Sequence, residues 1–217
     1  MDESLAFLQN TPLFRGLPIE LTGRLLQTLT ARRGYYAAGE TILRAGETIS
    51  SFGILLSGSA WIEREDYDGN REIVGNLRAG ELFGEVFACL EDVPVQVTVV
   101  AAEPCQVLFL HTEGLFAPEF SPVLHRFLRI LARKNLALTE KLRHMSRRST
   151  RQKLLSFLDA ERRRTGSDFF EVRFDRQQLA DYLSIDRSAM CRELSKMKAE
   201  GLIDYDRKTF RLLTDSD

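Results

Sequence analysis

Arg187 and Arg192 stand in RQQLADYLSIDRSAMCRELSKMKAEGLI, a stretch that opens at Arg176. At ~100° per residue, a helix through it gathers Arg187, Ser188, Cys191, Arg192 and Ser195 on one polar face. Met190, Leu194 and Met197 fall on another face and should pack inward. A guanidinium donates two parallel hydrogen bonds, which guanine O6 and N7 accept in the DNA major groove. Asp186 is placed to cap the helix start with its carboxylate. Arg176, Gln177 and Ser184 are placed for phosphate contacts, which orient a domain without reading bases. On the helix before them, Leu179 and Leu183 form an apolar side and small Ala180 permits a close crossing. The chemistry is that of reading a duplex.

A second constellation lies in AGELFGEVFACLEDVPVQVTVVAAEP, from Ala79 to Pro104. Gly80 and Gly84 beside Glu85 have the form of a backbone cradle for an anion. Yet no Lys or Arg occurs between Ala79 and His125. The glycines also serve as plain turn residues, with or without a ligand.

Catalytic patterns are absent. The strand-rich first part has no His before His111, so a cupin-like metal enzyme lacks its ligand set. No Gly-x-Ser-x-Gly element or paired catalytic constellation occurs. Cys89, Cys105, His111, His125 and His144 sit in no haem-binding motif and read as packed or solvent-facing residues. Cys191 reads as a small filler rather than a redox brake.

These residues need elements to hold them. From Tyr35 to His111, short apolar runs are punctuated by glycines, the pattern of an antiparallel barrel or roll, with a hairpin turn at Tyr67-Asp68-Gly69-Asn70. From about Pro118 to Met145 the period becomes helical. Leu124, Leu128, Leu131, Asn135, Leu138, Leu142 and Met145 recur at alternating steps of four and three. Such a seam fits a helix lying on the roll or a homodimer coiled coil, and its strictness favours the coiled coil, with Asn135 setting register. A basic joint, RHMSRRSTRQK, brings Arg147, Arg148 and Arg151 together. There follow a helix over Thr150–Arg164, a strand over Phe170–Phe174, two short helices and a hairpin turning at Asp206–Lys208, the outline of a winged helix-turn-helix.

Charge divides the chain in the same way. Residues 1–140 hold 12 Lys+Arg against 18 Asp+Glu, and residues 141–217 hold 18 against 13. Only the second part is suited to a polyanion. The acidic N-terminus is no secretory signal, no apolar run approaches the ~20 residues of a membrane span, and three cysteines form no framework. The expected location is the cytoplasm, with no membrane partner.

Over nearly its full length the chain resembles the Crp/Fnr superfamily of bacterial transcription regulators. The resemblance rests on AAGETILRAGE, AGELFGE, the seam helix and RQQLADYLSIDRSAMCREL. The expected fold is α+β: an antiparallel, jelly-roll-like β-roll sensor (1–117), a long dimerisation helix (118–146) and a winged-helix DNA-binding domain (147–217). The resemblance implies a homodimer on a near-palindromic operator, in contact with RNA polymerase. It assigns Arg187 and Arg192 to guanines and Arg176 to phosphate. Many members carry Glu where this chain has Ser188, so the half-site should differ from the familiar one.

In cyclic-AMP binders of the family, the residue matching Glu85 takes the ribose hydroxyl and an Arg-Ser pair clamps the phosphate. Val95 and Gln96 stand at the clamp positions, and Leu138-Thr139 at a Thr-Ser pair that meets the base. Without the guanidinium, Glu85 would repel the anion. The tentative effector pocket, Gly84, Glu85, Val95, Gln96 and Thr139, is therefore expected not to take cyclic AMP. A smaller or less anionic occupant, or none, remains open. The cysteine cluster of the oxygen sensors is missing, since no Cys precedes Cys89. The alternatives to an effector-controlled regulator are a cyclic-AMP-responsive one, the cupin-like enzyme, and a stand-alone cyclic-nucleotide module. The wing at the C-terminal end disfavours the last.

Overall fold

The computed structural model describes residues 3–65, 71–90 and 92–213. The hairpin turn expected at 67–70 lies outside the described residues. The chain divides into two compact units, Met1–Ala132 and Arg133–Asp217.

The first unit opens with α1 (Glu3–Leu8) and α2 (Ile19–Thr28). Then come β1 (Arg32–Tyr36), β2 (Thr41–Leu43), β3 (Ser51–Ser57), β4 (Ser59–Glu65), β5 (Arg71–Arg78) and β6 (Leu82–Phe83). A single-turn α3 (Glu85–Ala88) precedes β7 (Thr98–Ala101) and β8 (Cys105–His111). The strands form two four-stranded sheets, ordered β1-β8-β3-β6 and β2-β7-β4-β5, and every pairing is antiparallel. This is the expected roll.

Strand alternation gives β8 two cores. Cys105, Val107 and Phe109 face the space between the sheets, packed with Leu43, Leu55, Phe83 and Val99. Leu108 and Leu110 face the opposite way, onto Leu25, Leu29, Phe52 and Phe127. Gly53 on β3 is required by this packing, because a Cβ there would lie 2.1 Å from Cζ of Phe83. Two 3-10 turns, Glu113–Phe116 and Pro118–Phe120, lead into α4 (Ser121–Met145), whose Val123 and Phe127 are buried against the outer core.

The expected seam thus has a mixed environment. Leu128, Leu138 and Leu142 are 52%, 62% and 64% exposed. Leu124, Leu131 and Met145 are half-buried and Asn135 is exposed. Leu136, off the seam, is exposed as well.

In the second unit, the end of α4 is followed by α5 (Thr150–Thr165), β9 (Phe169–Glu171), α6 (Arg176–Leu183), α7 (Arg187–Ala199), β10 (Ile203–Asp206) and β11 (Thr209–Leu212). Ser149 caps α5 by accepting from the Gln152 amide, and Gly166 ends it at φ 69°. The sheet is antiparallel in the order β10-β11-β9, and Arg207 makes the wing turn at φ 48°. The strand expected at 170–174 is shorter and starts one residue earlier. After Val172 the chain must turn to place Asp175 as the cap of α6. One core, built on Leu154, Leu158, Leu179, Leu183, Leu194 and Phe210, holds the unit together.

Candidate nucleic-acid interface and ligand cradle

The helix-turn-helix is built from its caps. Asp175 and Gln178 form a reciprocal capping box at α6: the Gln178 amide donates to Asp175 Oδ1 (2.8 Å), and the Asp175 amide donates to Gln178 Oε1 (2.9 Å). Ser184 ends α6 in the left-handed region at φ 50°. Lys153, from α5, donates its Nζ to the carbonyls of Leu183 and Ser184, both at 3.1 Å. A cation there satisfies orphan acceptors and opposes the negative end of the helix dipole. Asp186 then caps α7, accepting from the Ala189 amide at 2.8 Å. It also accepts from the Ser188 hydroxyl at 2.5 Å. The Ser188 hydrogen bond, followed by that from the Ala189 amide, holds the Asp186 carboxyl below the usual carboxylate range.

Below the turn, Leu179, Ala180, Leu183, Met190 and Met197 are fully buried and Leu194 nearly so, as the helical period requires. Arg187, Ser188, Arg192 and Ser195 face outward and are exposed. Cys191 departs from the expected outward position. It is half-buried against the unit's core, because its place on α7 lies at the edge of the buried stripe. Gln177 is tied along its own helix, donating to Asp181 Oδ1 at 2.8 Å. Arg176 lays its guanidinium over two adjacent wing rings, 4.8 Å from the Tyr205 centroid and 4.9 Å from that of Phe210.

Arg151 and Lys198 hold the recognition helix and His144 holds the helices before it, through partners that sequence reading did not give them. Arg151 pairs with Glu193 at 2.5 Å and Glu200 at 2.7 Å, joining α5 to α7. Its side chain is therefore committed to two carboxylates rather than left at a basic joint. Glu193 on α7 and Glu200, which caps its C-terminal end, are seven residues apart, a spacing that puts both on one side and was legible. Lys198 pairs with Asp204 at 2.6 Å, fixing α7 to the wing. His144, 2% exposed at the end of α4, shares a hydrogen bond of 2.9 Å with the Ser156 hydroxyl. It packs on the rings of Phe157 and Tyr182.

In the roll, Gly84 stands at φ 73° and Glu85 is buried at the start of α3. Val95 is buried, and its backbone ties to the 46–47 turn through the Glu47 carbonyl (2.8 Å) and the Gly46 amide (2.7 Å). Gln96 faces solvent. Thr139, on α4 in the second unit, donates its hydroxyl to the Asn135 carbonyl at 2.9 Å. The space before Gly84 is filled by aliphatic groups: a Cβ built there would meet Ile49 Cδ1 at 3.0 Å and Leu43 Cδ2 at 3.6 Å. A buried Val and an aliphatic plug do not fit a cyclic phosphate, which needs a guanidinium or several donors. Burial, and then Glu85, push the Cys89 thiol upward, away from thiolate chemistry.

The family model for the cyclic nucleotide-binding domain matches residues 33–117, and that for the Crp-like helix-turn-helix domain matches residues 152–215. The chain belongs to the Crp/Fnr superfamily. This regulator is 26% identical over 196 residues to the CRP-like protein Clp of Xanthomonas campestris pv. campestris (strain B100), covering 82% of this chain and 83% of Clp. It is also 36% identical over 96 residues to a cAMP-dependent protein kinase regulatory subunit of Mycosarcoma maydis, covering 44% of this chain but only 18% of that protein. The solved structure of CprK complexed with OCPA aligns with 91% of this chain and 92% of that one, at TM-score 0.65 and 14% identity, a likeness of fold. Among the described residues, no helix is long and apolar enough to cross a membrane.

Proposed function

We propose that the chain is a homodimeric, sequence-specific transcription regulator of the cytoplasm, controlled through its β-roll by an effector other than cyclic AMP. One observation carries the reading: Arg187 and Arg192 stand exposed on a helix whose opposite face is locked by core, cap and ion pairs. A helix fixed in this way presents its two donors to the major groove without a backbone-ordering cost on binding. Arg176, Gln177 and Ser184 take phosphates around it. Ser188 offers no carboxylate to a cytosine amine, and its hydroxyl is engaged by Asp186. The half-site therefore keeps one or two guanines and differs from that of Glu-bearing relatives.

The exposed leucines of α4 support dimerisation along the seam, which would set two recognition helices ~34 Å apart on one DNA face. An effector then acts by shifting the dimer between aligned and misaligned states. Contact with RNA polymerase completes the proposed role. Selection of bound duplexes from random DNA, followed by gel shift, tests it. The expected result is a near-palindrome with guanines in each half, steep salt dependence and no response to cyclic AMP. A non-specific binder, or one that needs cyclic AMP, would sink it.

A further inference from the structure

The strand register brings to the roll a cation that the cradle segment lacks. Arg32 on β1 pairs with Phe109 on β8, which pairs with Gly53 on β3, which pairs with Phe83 on β6. Cross-strand neighbours share a face, and Phe83 and Phe109 belong to the core between the sheets. Arg32 therefore lies in the innermost row of that sheet, at its open edge. No ion pair or hydrogen bond engages its side chain among the described residues.

Two residues along the same face, Gly34 has no side chain, and Tyr36 uses the space. Its ring folds back over Gly34, where a Cβ would lie 2.6 Å from Tyr36 Cε2 and 2.9 Å from its hydroxyl oxygen. The hydroxyl is thus directed along the strand towards Arg32, and the two interact electrostatically. Leu43 and Ile49, which close the nucleotide cradle on one side, present their other side here. With Phe109 they form the apolar wall of a cleft of about 470 Å³. None of Gly84, Glu85, Val95 and Gln96 lines it.

We propose that this cleft binds a small organic monocarboxylate, its carboxylate on Arg32 and the Tyr36 hydroxyl and its hydrocarbon body against Leu43, Ile49 and Phe109. A guanidinium fork matches a carboxylate, and a phenol donates to the same oxygens. The charged residues of the lining are Arg32, Arg33 and Glu47, a formal balance of one positive charge that suits a monoanion over a dianion. A volume of that size is within the range of small-molecule sites.

That this ligand is the effector rests on the regulator reading above; that the cleft binds it does not. Titration calorimetry of the full chain with benzoate, phenylacetate and octanoate, and with inorganic phosphate for comparison, tests the binding. At least one carboxylate should bind saturably and more tightly than phosphate. Arg32→Gln should weaken it about tenfold or more, with the melting temperature unchanged because Arg32 is exposed. Gly34→Ala should weaken it too, by displacing the Tyr36 ring. Absence of binding by all three carboxylates, phosphate binding as tightly, or unchanged affinity in Arg32→Gln overturns the site. Operator gel shifts on the same samples separate the two ideas. Carboxylate binding without a change in operator affinity removes the effector role and leaves the site, whereas a wild-type chain that binds no operator removes the regulator reading alone.

Discussion

Arg187 and Arg192 differ from four other arginines of the second unit in what their neighbours ask of them. Arg151, Arg162 and Arg164 are paired with carboxylates, and Arg176 is stacked on rings. The two on α7 keep exposed guanidiniums on a fixed backbone. Substituting either with Ala should cost about 1–3 kcal/mol of discrimination at one base pair, read as loss of preference for guanine in competition binding. Gln177→Ala should instead weaken all sequences alike, since a phosphate contact carries no base information. Equal loss on cognate and scrambled duplexes in the arginine variants would contradict the assignment. The face bearing these arginines was legible from spacing alone. The fixing of their helix was not, because Arg151 and Lys153 reach partners thirty or more residues further along the chain.

At the scale of elements, the end of α4 is held by an aromatic nest around a titratable group. Burial comes first, then the nearby Arg143, in lowering the His144 pKa; Glu140 opposes, and Arg147 and Arg163 add to the fall. Lys141 sits over the ring of Tyr182, which also contacts His144. A neutral histidine is therefore favoured in the folded unit. Its contribution to stability is present above the unfolded value of about 6.5 and is lost as pH falls towards the lower folded value. Melting temperatures measured from about pH 7.5 down to about pH 5 should fall, and His144→Phe should flatten that part of the profile. An identical slope in the variant would remove His144 from the account. Nothing local marked His144 in the sequence. Its partners come from α5 and α6, so only the folded unit brings them together. The roll, by contrast, was legible as Gly-punctuated strands because turn chemistry is local. The pairing of Arg32 with Phe109 was not, since register joins residues far apart in the chain.

For the whole molecule, the proposed dimer places the heaviest demand on a few exposed leucines. Leu138, 62% exposed, lies at the middle of the exposed part of the seam. Leu138→Glu should turn a dimer into a monomer in sedimentation velocity and abolish tight operator binding, while leaving the circular dichroism of each unit intact. A dimer with an unchanged sedimentation coefficient would count against the seam. The roll's own construction bears on how occupancy would be felt. Strand β8 is a party wall between two rooms: Val107 and Phe109 furnish one, Leu108 and Leu110 the other, where Phe52 meets Phe127 of α4 with ring centroids 5.2 Å apart. Close-packed interiors resist compression, so such a wall cannot be pushed from one room without being noticed in the other. A guest leaning on Phe109 would be pressing, through one thickness of backbone, on the neighbours of α4.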